Sequence, residues 1–204
     1  MKYSQNNEDQ IIVNYFNNAK NLNILDIGAN DGITLSNSYK VINELNWNAC
    51  LIEPSPTAFK KLFKLYNDNP DIFLFNYALS NKSGEFTFYD SGTHLNNNDT
   101  SLLSTLHKSE LDRWTKETFK EIIVKCKTIN SFILESPIKT FDVISIDVEG
   151  EDYNVLTQLN LTELNCKMLI VEFNGKDKQK YIDYCSKFNM KLFTENNENL
   201  IFIK

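Results

Sequence analysis

Short, continuous apolar runs alternate along this chain with segments in which apolar residues recur every three or four positions. The runs are typical of strands buried on both faces, and the second pattern is typical of helices that lie against a sheet. The first part of the chain is therefore predicted to contain, in order, a helix over 4–18, a strand over 22–28, a helix over 33–46, a strand over 48–53, a helix over 56–67 and a strand over 72–78. This alternation favours a parallel sheet with helices on both faces.

An insertion over 81–135 interrupts the alternation and is more polar than the rest of the chain. It is predicted to contain a strand over 85–89, an irregular stretch over 91–105 that includes the asparagine-rich residues 96–99, a helix over 107–119, a strand over 122–126 and a helix over 129–134. A long polar connection inside a compact domain is usually functional. Because this one falls between the third and fourth strands of the predicted sheet, we expect it to shape a substrate site.

The alternation then resumes and ends in a hairpin. The predicted elements are a strand over 141–147, a helix over 151–159, a strand over 167–173, a helix over 177–188 and strands over 190–194 and 200–203. The last two strands are close in sequence and should pair antiparallel. We predict an α/β fold with a doubly wound Rossmann-like sheet, mostly parallel with a reversed last strand, in one domain over 1–204 whose N-terminal helix lies within 1–20. A reversed last strand is typical of sheets that bind S-adenosylmethionine rather than dinucleotides.

Composition narrows the classes of function and location. The 204 residues carry a net charge of −6 without a basic patch, which argues against nucleic acid as the main partner. The four cysteines form no C-x-x-C pair, so zinc-ribbon spacing is absent. The polar N-terminus lacks the pattern of a signal peptide, and no apolar run reaches the length of a membrane span. We therefore expect a cytoplasmic protein.

The loop after the first predicted strand is the first candidate binding element. Its sequence over 26–32 is Asp-Ile-Gly-Ala-Asn-Asp-Gly, and Gly28 and Gly32 allow a tight turn and a close approach of the backbone to a ligand. Asp26 can accept hydrogen bonds from a cationic amine. Glu53 ends the second strand and can accept hydrogen bonds from both hydroxyls of a ribose, as such acids do in NAD enzymes. The loop, however, lacks the G-x-G-x-x-G pattern of those enzymes.

Further polar residues follow the fourth and fifth strands at the same predicted edge. Asp147 and Glu149 come after the fourth strand and are candidate catalytic residues, because either could take a proton from a substrate hydroxyl. Glu172 and Asn174 come after the fifth strand and are candidate substrate contacts. Carboxylates also suit Mg²⁺, so a divalent metal could bind Asp147, Glu149 and Glu172. Acidic pockets also serve without metal, and no metal site is predicted.

The insertion contributes the two histidines of the chain, His94 and His107. Either could act as a base or contact the substrate. Polar loops also carry exposed histidines with no such role. Both residues are therefore retained as candidate substrate contacts.

Taken together, the motifs of this chain resemble those of the FkbM family of S-adenosylmethionine-dependent methyltransferases. They are the loop at 26–32, Glu53-Pro54, Tyr-Ala-Leu-Ser at 77–80, Ile-Asp-Val-Glu-Gly at 146–150, and the opening segment 3–9. The resemblance covers nearly the whole chain in the same order. It implies a doubly wound methyltransferase sheet and O-methylation of hydroxyls on sugars and natural products.

The resemblance also implies the cofactor and the residues that hold it. Carried over position by position, Asp26, Gly28, Asn30 and Gly32 would hold the methionine end of S-adenosyl-L-methionine, Glu53 the ribose, Ala78 the adenine edge, and Asp147 would face the sulfonium and the substrate. The expected reaction is methylation of a hydroxyl on a sugar, glycan or other small-molecule acceptor. An NAD(P)-dependent oxidoreductase and a non-catalytic cofactor-binding domain remain alternatives.

Overall fold

The computed structural model describes residues 3–95, 100–175 and 177–204, so the asparagine-rich residues 96–99 lie outside the described part. The helices are α1 Glu8–Tyr15, α2 Tyr39–Leu45, α3 Pro56–Tyr66, α4 Ile129–Glu135, α5 Asp152–Leu156 and α6 Gln179–Ser186, with a 3₁₀ helix at Lys108–Trp114. The strands are β1 Asn23–Ile27, β2 Asn48–Ile52, β3 Ile72–Phe75, β4 Ala78–Leu79, β5 Gly84–Ser91, β6 Phe119–Lys127, β7 Val143–Ile146, β8 Met168–Glu172, β9 Lys191–Glu195 and β10 Asn199–Ile203. No helix among these residues has the length and apolar character needed to cross a bilayer.

Seven strands form the central sheet in the order β3-β2-β1-β7-β8-β10-β9. The pairs β2–β3, β1–β2, β1–β7 and β7–β8 are parallel, whereas β10 runs antiparallel to both β8 and β9. The predicted doubly wound, mostly parallel sheet with a reversed last strand is therefore confirmed. The reversed strand lies between β8 and β9 rather than at the edge.

The sheet is buried on both faces, as its continuous apolar runs predict. Side chains of α1, α2 and α3 pack on one face, around Ile24 and Val143. Side chains of α4, α5 and α6 pack on the other face, around Leu25 and Ile144. Successive residues of a strand point to opposite faces of the sheet. Ile24 and Leu25 are neighbours in β1 and therefore enter opposite cores, and the neighbours Val143 and Ile144 of β7 do the same.

The two strands of the insertion, β5 and β6, form a second sheet together with β4, in the order β4-β6-β5. The predicted strand over 72–78 is wrong in its extent, since the central strand ends at Phe75 and Ala78–Leu79 pairs with β6 instead. The side chain of Asn76 donates hydrogen bonds to the carbonyls of Glu53 and Pro54, which turns the chain away from the sheet edge. The predicted helix over 107–119 is also too long, because only the 3₁₀ helix forms before β6 begins.

The first predicted helix starts later than the sequence indicates. The sequence predicts a helix over 4–18, but α1 begins at Glu8 and its N-cap is Asn7, which has a φ of 70°. Ser4 instead forms a bridge with Leu35 and hydrogen-bonds to the Asp9 carboxylate. The opening segment is thus held against the loop after β1 rather than wound into a helix.

The second predicted helix also starts later, at Tyr39 rather than residue 33. The Asp31 carboxylate accepts hydrogen bonds from the amides of Ile33 and Thr34, at 2.9 and 2.7 Å. Such side chain–backbone bonds compete with helix formation. Ile33 is accordingly 44% exposed rather than packed on the sheet.

The third predicted helix forms as α3, but one of its large apolar side chains does not face the sheet. Ser55 caps α3 by accepting a hydrogen bond from the Ala58 amide, as residues of its type commonly do. Leu62 and Tyr66 are buried as predicted, but Phe63 is 51% exposed. Phe63 therefore lies on the outer side of the helix.

Gly28 lies where the loop after β1 meets the loop after β7. Its φ is 92°, and a Cβ at this position would come within 1.8 Å of the carbonyl oxygen of Asp147. Gly175 also has a positive φ, 64°, but a Cβ there would meet nothing within 4 Å. A comparison of substitutions at the two glycines therefore distinguishes the cost of the left-handed backbone from the cost of the steric contact.

We expect Gly28→Ala to destabilise the protein more than Gly175→Ala. Gly175→Ala should cost about 1–2 kcal/mol for the left-handed backbone. Gly28→Ala should add about 1–3 kcal/mol or more, because a backbone carbonyl cannot yield as a side chain does. Urea denaturation of both variants measures the difference, and equal losses would contradict the close contact at Gly28.

Candidate active site

A cavity opens at the carboxyl edge of the central sheet, between the ends of β1, β2, β7 and β8 and the insertion. Its volume is about 1350 Å³ when the open mouth is included. Most of the candidate site residues line it, namely Asp26, Gly28, Asn30, Glu53, Ala78, His94, Asp147, Glu149, Glu172 and Asn174.

Gly32 and His107 are the two candidates that do not line the cavity. A Cβ at Gly32 would come within 2.7 Å of Leu62, so this glycine allows α3 to pack against the loop rather than a ligand to approach. His107 Nε2 lies 2.7 Å from Glu151 Oε1, and it is Glu151 that reaches the cavity wall. Both candidates therefore contact the site through another residue.

Asp26 lies one residue before the end of β1 and is 4% exposed. Its carboxylate accepts a hydrogen bond of 2.6 Å from the Ser38 hydroxyl. Burial raises the pKa of Asp26, and hydrogen bonds from Ser38 and Ser145 partly offset that rise. Ser38, just before α2, is a partner that the sequence pattern did not indicate.

Glu53 follows β2 and holds the loop after β1. Its two carboxylate oxygens accept hydrogen bonds from the amides of Asn30 and Ser55, at 2.9 and 2.6 Å. The Asn30 side chain in turn donates to the carbonyl of Thr100 at 2.9 Å, which ties this loop to the insertion. Burial raises the pKa of Glu53 to about 8, against the effect of the two amide donors.

Asp147, Glu149 and Glu172 form a carboxylate cluster at the ends of β7 and β8. One oxygen from each of the three lies within 4.8 Å of the others. Burial, followed by the charge of Glu149, raises the pKa of Asp147 well above its ordinary value. Burial, followed by the charges of Asp147 and Glu149, does the same for the pKa of Glu172, which a hydrogen bond from Asn174 partly offsets.

The insertion supplies the opposite wall with a basic and an aromatic residue. Arg113 Nη1 donates to Glu110 Oε2 at 2.6 Å and lies 3.6 Å from Glu149 Oε2. His94 Nδ1 lies 2.9 Å from Glu117 Oε1, and its ring meets that of Trp114 edge-on at 5.2 Å. His94 and Trp114 thus lie together in this wall of the cavity.

The N-terminal segment and the hairpin before β10 also reach the cavity. Gln5 and Glu198 both line it, and Gln5 Nε2 donates to Glu198 Oε1 at 2.8 Å. Asn6 Nδ2 donates to the other oxygen of that carboxylate at 2.7 Å. Nearly the full length of the chain separates these residues, and no periodic pattern in the sequence relates them.

The family of the chain follows from a comparison with family models. The model of the methyltransferase FkbM domain matches residues 26–196. The chain belongs to the FkbM methyltransferase family. The matched range includes the carboxyl ends of the strands that border the cavity and the whole insertion, so the resemblance found in the sequence motifs is confirmed. A search of curated proteins finds no significant match.

Solved methyltransferases share the fold. Methyltransferase FkbM from Methylobacillus flagellatus KT has a TM-score of 0.54 at 12% identity over 90% of this chain and 44% of its own. Fibrillarin from Aeropyrum pernix, solved with natively bound S-adenosyl-L-methionine, has a TM-score of 0.50 at 9% identity over 92% of this chain and 68% of its own. Precorrin-6y C5,15-methyltransferase from Geobacter metallireducens has a TM-score of 0.50 at 10% identity over 96% and 86%. This FkbM-family chain thus spans less than half the length of the first relative, and the likeness shows the fold.

The cavity of this FkbM-family chain fits S-adenosylmethionine in its charge. The cofactor carries a sulfonium, an ammonium and a ribose with two hydroxyl donors. The cavity presents buried carboxylates at Asp26 and Glu53 to such groups, with further carboxylates at the ends of β7 and β8. These are the charges and acceptors that a cation and a diol require.

We expect the ligand-free protein to lose stability as the pH rises from about 5 to 8. The native state keeps the proton of Glu53 up to a pKa of about 8, whereas the unfolded chain releases it near 4.5. Unfolding in this window releases a proton, so each pH unit lowers the free energy of unfolding by up to about 1.4 kcal/mol for this group. The raised pKa of Asp26 acts in the same direction.

The measurement is the melting temperature of the protein from pH 5.5 to 8.5. Glu53→Gln should make the slope shallower, whatever its absolute stability, because the residue no longer titrates. Glu163→Gln, an exposed position remote from the cavity, is the matched control. A wild-type melting temperature that rises over this range would contradict the account.

Proposed function

We propose that the protein transfers a methyl group from S-adenosyl-L-methionine to a hydroxyl of a sugar, glycan or other small-molecule acceptor. The observation that carries the proposal is the acidity of the cavity at the ends of β1 and β2. Asp26 and Glu53 are both buried there, on adjacent strands of a family whose fold is that of methyltransferases. A cationic methyl donor is attracted to such a site.

The same acidity disfavours the main alternative. NAD(P) carries a negatively charged diphosphate, which is usually bound at the N-terminus of the helix that follows the first strand. Here α2 begins at Tyr39, well beyond Gly28, and the Asp31 carboxylate already occupies the first free amides of the loop. A diphosphate would meet carboxylates where it needs amide donors.

The residues at the ends of β1 and β2 and in β4 are proposed to bind S-adenosylmethionine. Asp26 would receive the charged methionine end, Gly28 and Asn30 would border it, Glu53 would accept from the ribose, and Ala78 would edge the adenine. Gly32 would contribute through its contact with α3. Asp26, Gly28, Asn30 and Gly32 belong to β1 and the loop after it, and Glu53 follows the adjacent strand β2, so these five residues hold fixed positions relative to one another.

On the acceptor side, Asp147 and Glu149 are the proposed bases. When the cofactor is bound, its sulfonium is a good leaving group, and the acceptor oxygen forms a bond to the methyl carbon as the carbon–sulfur bond breaks and the electron pair stays on sulfur. The chain has to place the hydroxyl in line and accept its proton. Asp147 and Glu149 line the cavity and could accept that proton at a carboxylate oxygen.

The insertion is proposed to form the acceptor wall of a single methyltransferase unit over residues 1–204. His94 and Trp114 line the cavity from this side, and Glu172 and Asn174 face it from β8. Trp114 Nε1 is buried without a hydrogen-bond acceptor among the described residues. A sugar oxygen would satisfy that donor, and an aromatic ring is a common partner for the apolar face of a sugar.

The cofactor assignment predicts binding of S-adenosylhomocysteine but not of NAD in isothermal titration. At pH 8.5, above the pKa of Glu53 in the folded protein, Glu53→Gln should weaken the affinity for S-adenosylhomocysteine about tenfold or more, since hydrogen bonds to a charged group contribute about 1.5–3 kcal/mol. Glu163→Gln should leave it unchanged. Tight NAD binding with no heat from S-adenosylhomocysteine would instead favour the oxidoreductase alternative.

The catalytic assignment predicts loss of turnover in Asp147→Asn. An acceptor screen with methyl-labelled S-adenosylmethionine over nucleotide sugars, glycans and lipids first identifies an acceptor. Turnover of that acceptor should then fall by about 100-fold or more, as expected for removal of a general base, while the affinity for S-adenosylhomocysteine changes little. Unchanged turnover would remove Asp147 from the reaction, and the absence of any methylated product from all acceptors would favour a non-catalytic domain.

A further inference from the structure

The carboxylate cluster of Asp147, Glu149 and Glu172 has the geometry of a cation site. Asp147 and Glu149 come from the loop after β7, and Glu172 is the last residue of β8. One oxygen of each lies within 4.8 Å of the other two, inside the cavity. Ligand oxygens of one Mg²⁺ ion lie about 2.9–4.1 Å apart, so side-chain movements of about an ångström or two would bring these three oxygens around a hard divalent cation.

Glu172 provides a second, independent observation. The residue is 6% exposed, and its Oε2 is buried with no hydrogen-bond partner among the described residues. By contrast, both oxygens of Glu53 accept hydrogen bonds from backbone amides. Leaving a buried carboxylate oxygen without a partner is costly, which points to a ligand that the protein alone does not supply.

The charge around the cluster is only partly balanced by the protein. Arg113 is the only lysine or arginine among the described residues that line the cavity, and it lies 3.6 Å from Glu149 Oε2. Its charge can offset one of three carboxylates, and it is shared with Glu110. When its carboxyl groups are ionised, the cluster therefore carries an excess of negative charge, which favours a bound cation.

We propose that Asp147, Glu149 and Glu172 bind a hard divalent cation of the Mg²⁺ or Mn²⁺ class. Carboxylate oxygens are the ligands that these ions prefer, and such ions keep open positions for water or substrate oxygens. An acceptor hydroxyl in an open position would be held beside the proposed methyl donor and would lose its proton more easily. This role toward the acceptor rests on the proposed methyl transfer, whereas binding of the cation does not.

The sulfonium of the cofactor is the competing explanation for the cluster, because it too is a cation. Measuring ion binding in the absence of cofactor distinguishes a divalent-cation site from a site for the sulfonium. A divalent-ion site binds Mn²⁺ in the cofactor-free protein, whereas a cluster built for the sulfonium alone does not.

The experiment is a titration of the metal-free, cofactor-free protein with Mn²⁺, followed by electron paramagnetic resonance. We expect saturable binding of one Mn²⁺ per chain that Mg²⁺ displaces. Glu172→Gln should weaken the affinity for Mn²⁺ about tenfold or more, whereas the exposed Glu163→Gln should not change it. Glu172→Gln removes a charge from a repelling cluster, so it should keep the fold, and its melting temperature checks this.

Two results would overturn the proposal: Mn²⁺ binding that does not saturate near one equivalent, or Glu172→Gln binding Mn²⁺ as tightly as the wild type. Titration with S-adenosylhomocysteine separates this failure from that of the proposed function. S-adenosylhomocysteine binding without Mn²⁺ binding removes the cation site and leaves the methyltransferase proposal standing. Mn²⁺ binding without S-adenosylhomocysteine binding supports the cation site and removes the methyltransferase proposal.

Discussion

The register of three adjacent parallel strands determines the positions of Asp26, Glu53 and Asp147 in the cavity. Ile27 of β1 pairs with Ile52 of β2 on one side and with Ile146 of β7 on the other, so the three strands end at the same level. Glu53 and Asp147 are the next residues of β2 and β7. A shift of one residue in either pair would turn these carboxylates toward an apolar face. The site therefore depends on backbone pairing as much as on its own side chains.

The same pairing explains why the acids are poorly solvated. Asp26, Glu53 and Glu172 are only 4–6% exposed, because they lie at the ends of strands that are buried on both faces. Burial then disfavours the charged form of each acid. A ligand that supplies positive charge or hydrogen-bond donors replaces the lost interactions with water. Such a ligand would therefore stabilise the charged form of these carboxyl groups.

Much of the fold and the carboxylates of the site could be predicted because they depend on local pattern. Apolar runs define the central strands, and acids that follow parallel strands meet at one edge, as Glu53 and Asp147 do. The errors arose where a polar side chain bonds to nearby backbone, as Asp31 does in shortening α2. Contacts between distant segments, such as Gln5 with Glu198, have no periodic signature and could not be predicted.

The two halves of the cavity differ in how far the protein completes them. At the ends of β1 and β2, hydrogen bonds from Ser38 and from backbone amides already orient the carboxylates of Asp26 and Glu53. That half is organised before any ligand binds, which suits recognition of a constant cofactor. At the ends of β7 and β8, three carboxylates lie close together and Glu172 Oε2 has no partner in the described part of the chain. That half would gain most from a bound cation, because its carboxylates repel one another and the protein supplies them with fewer donors.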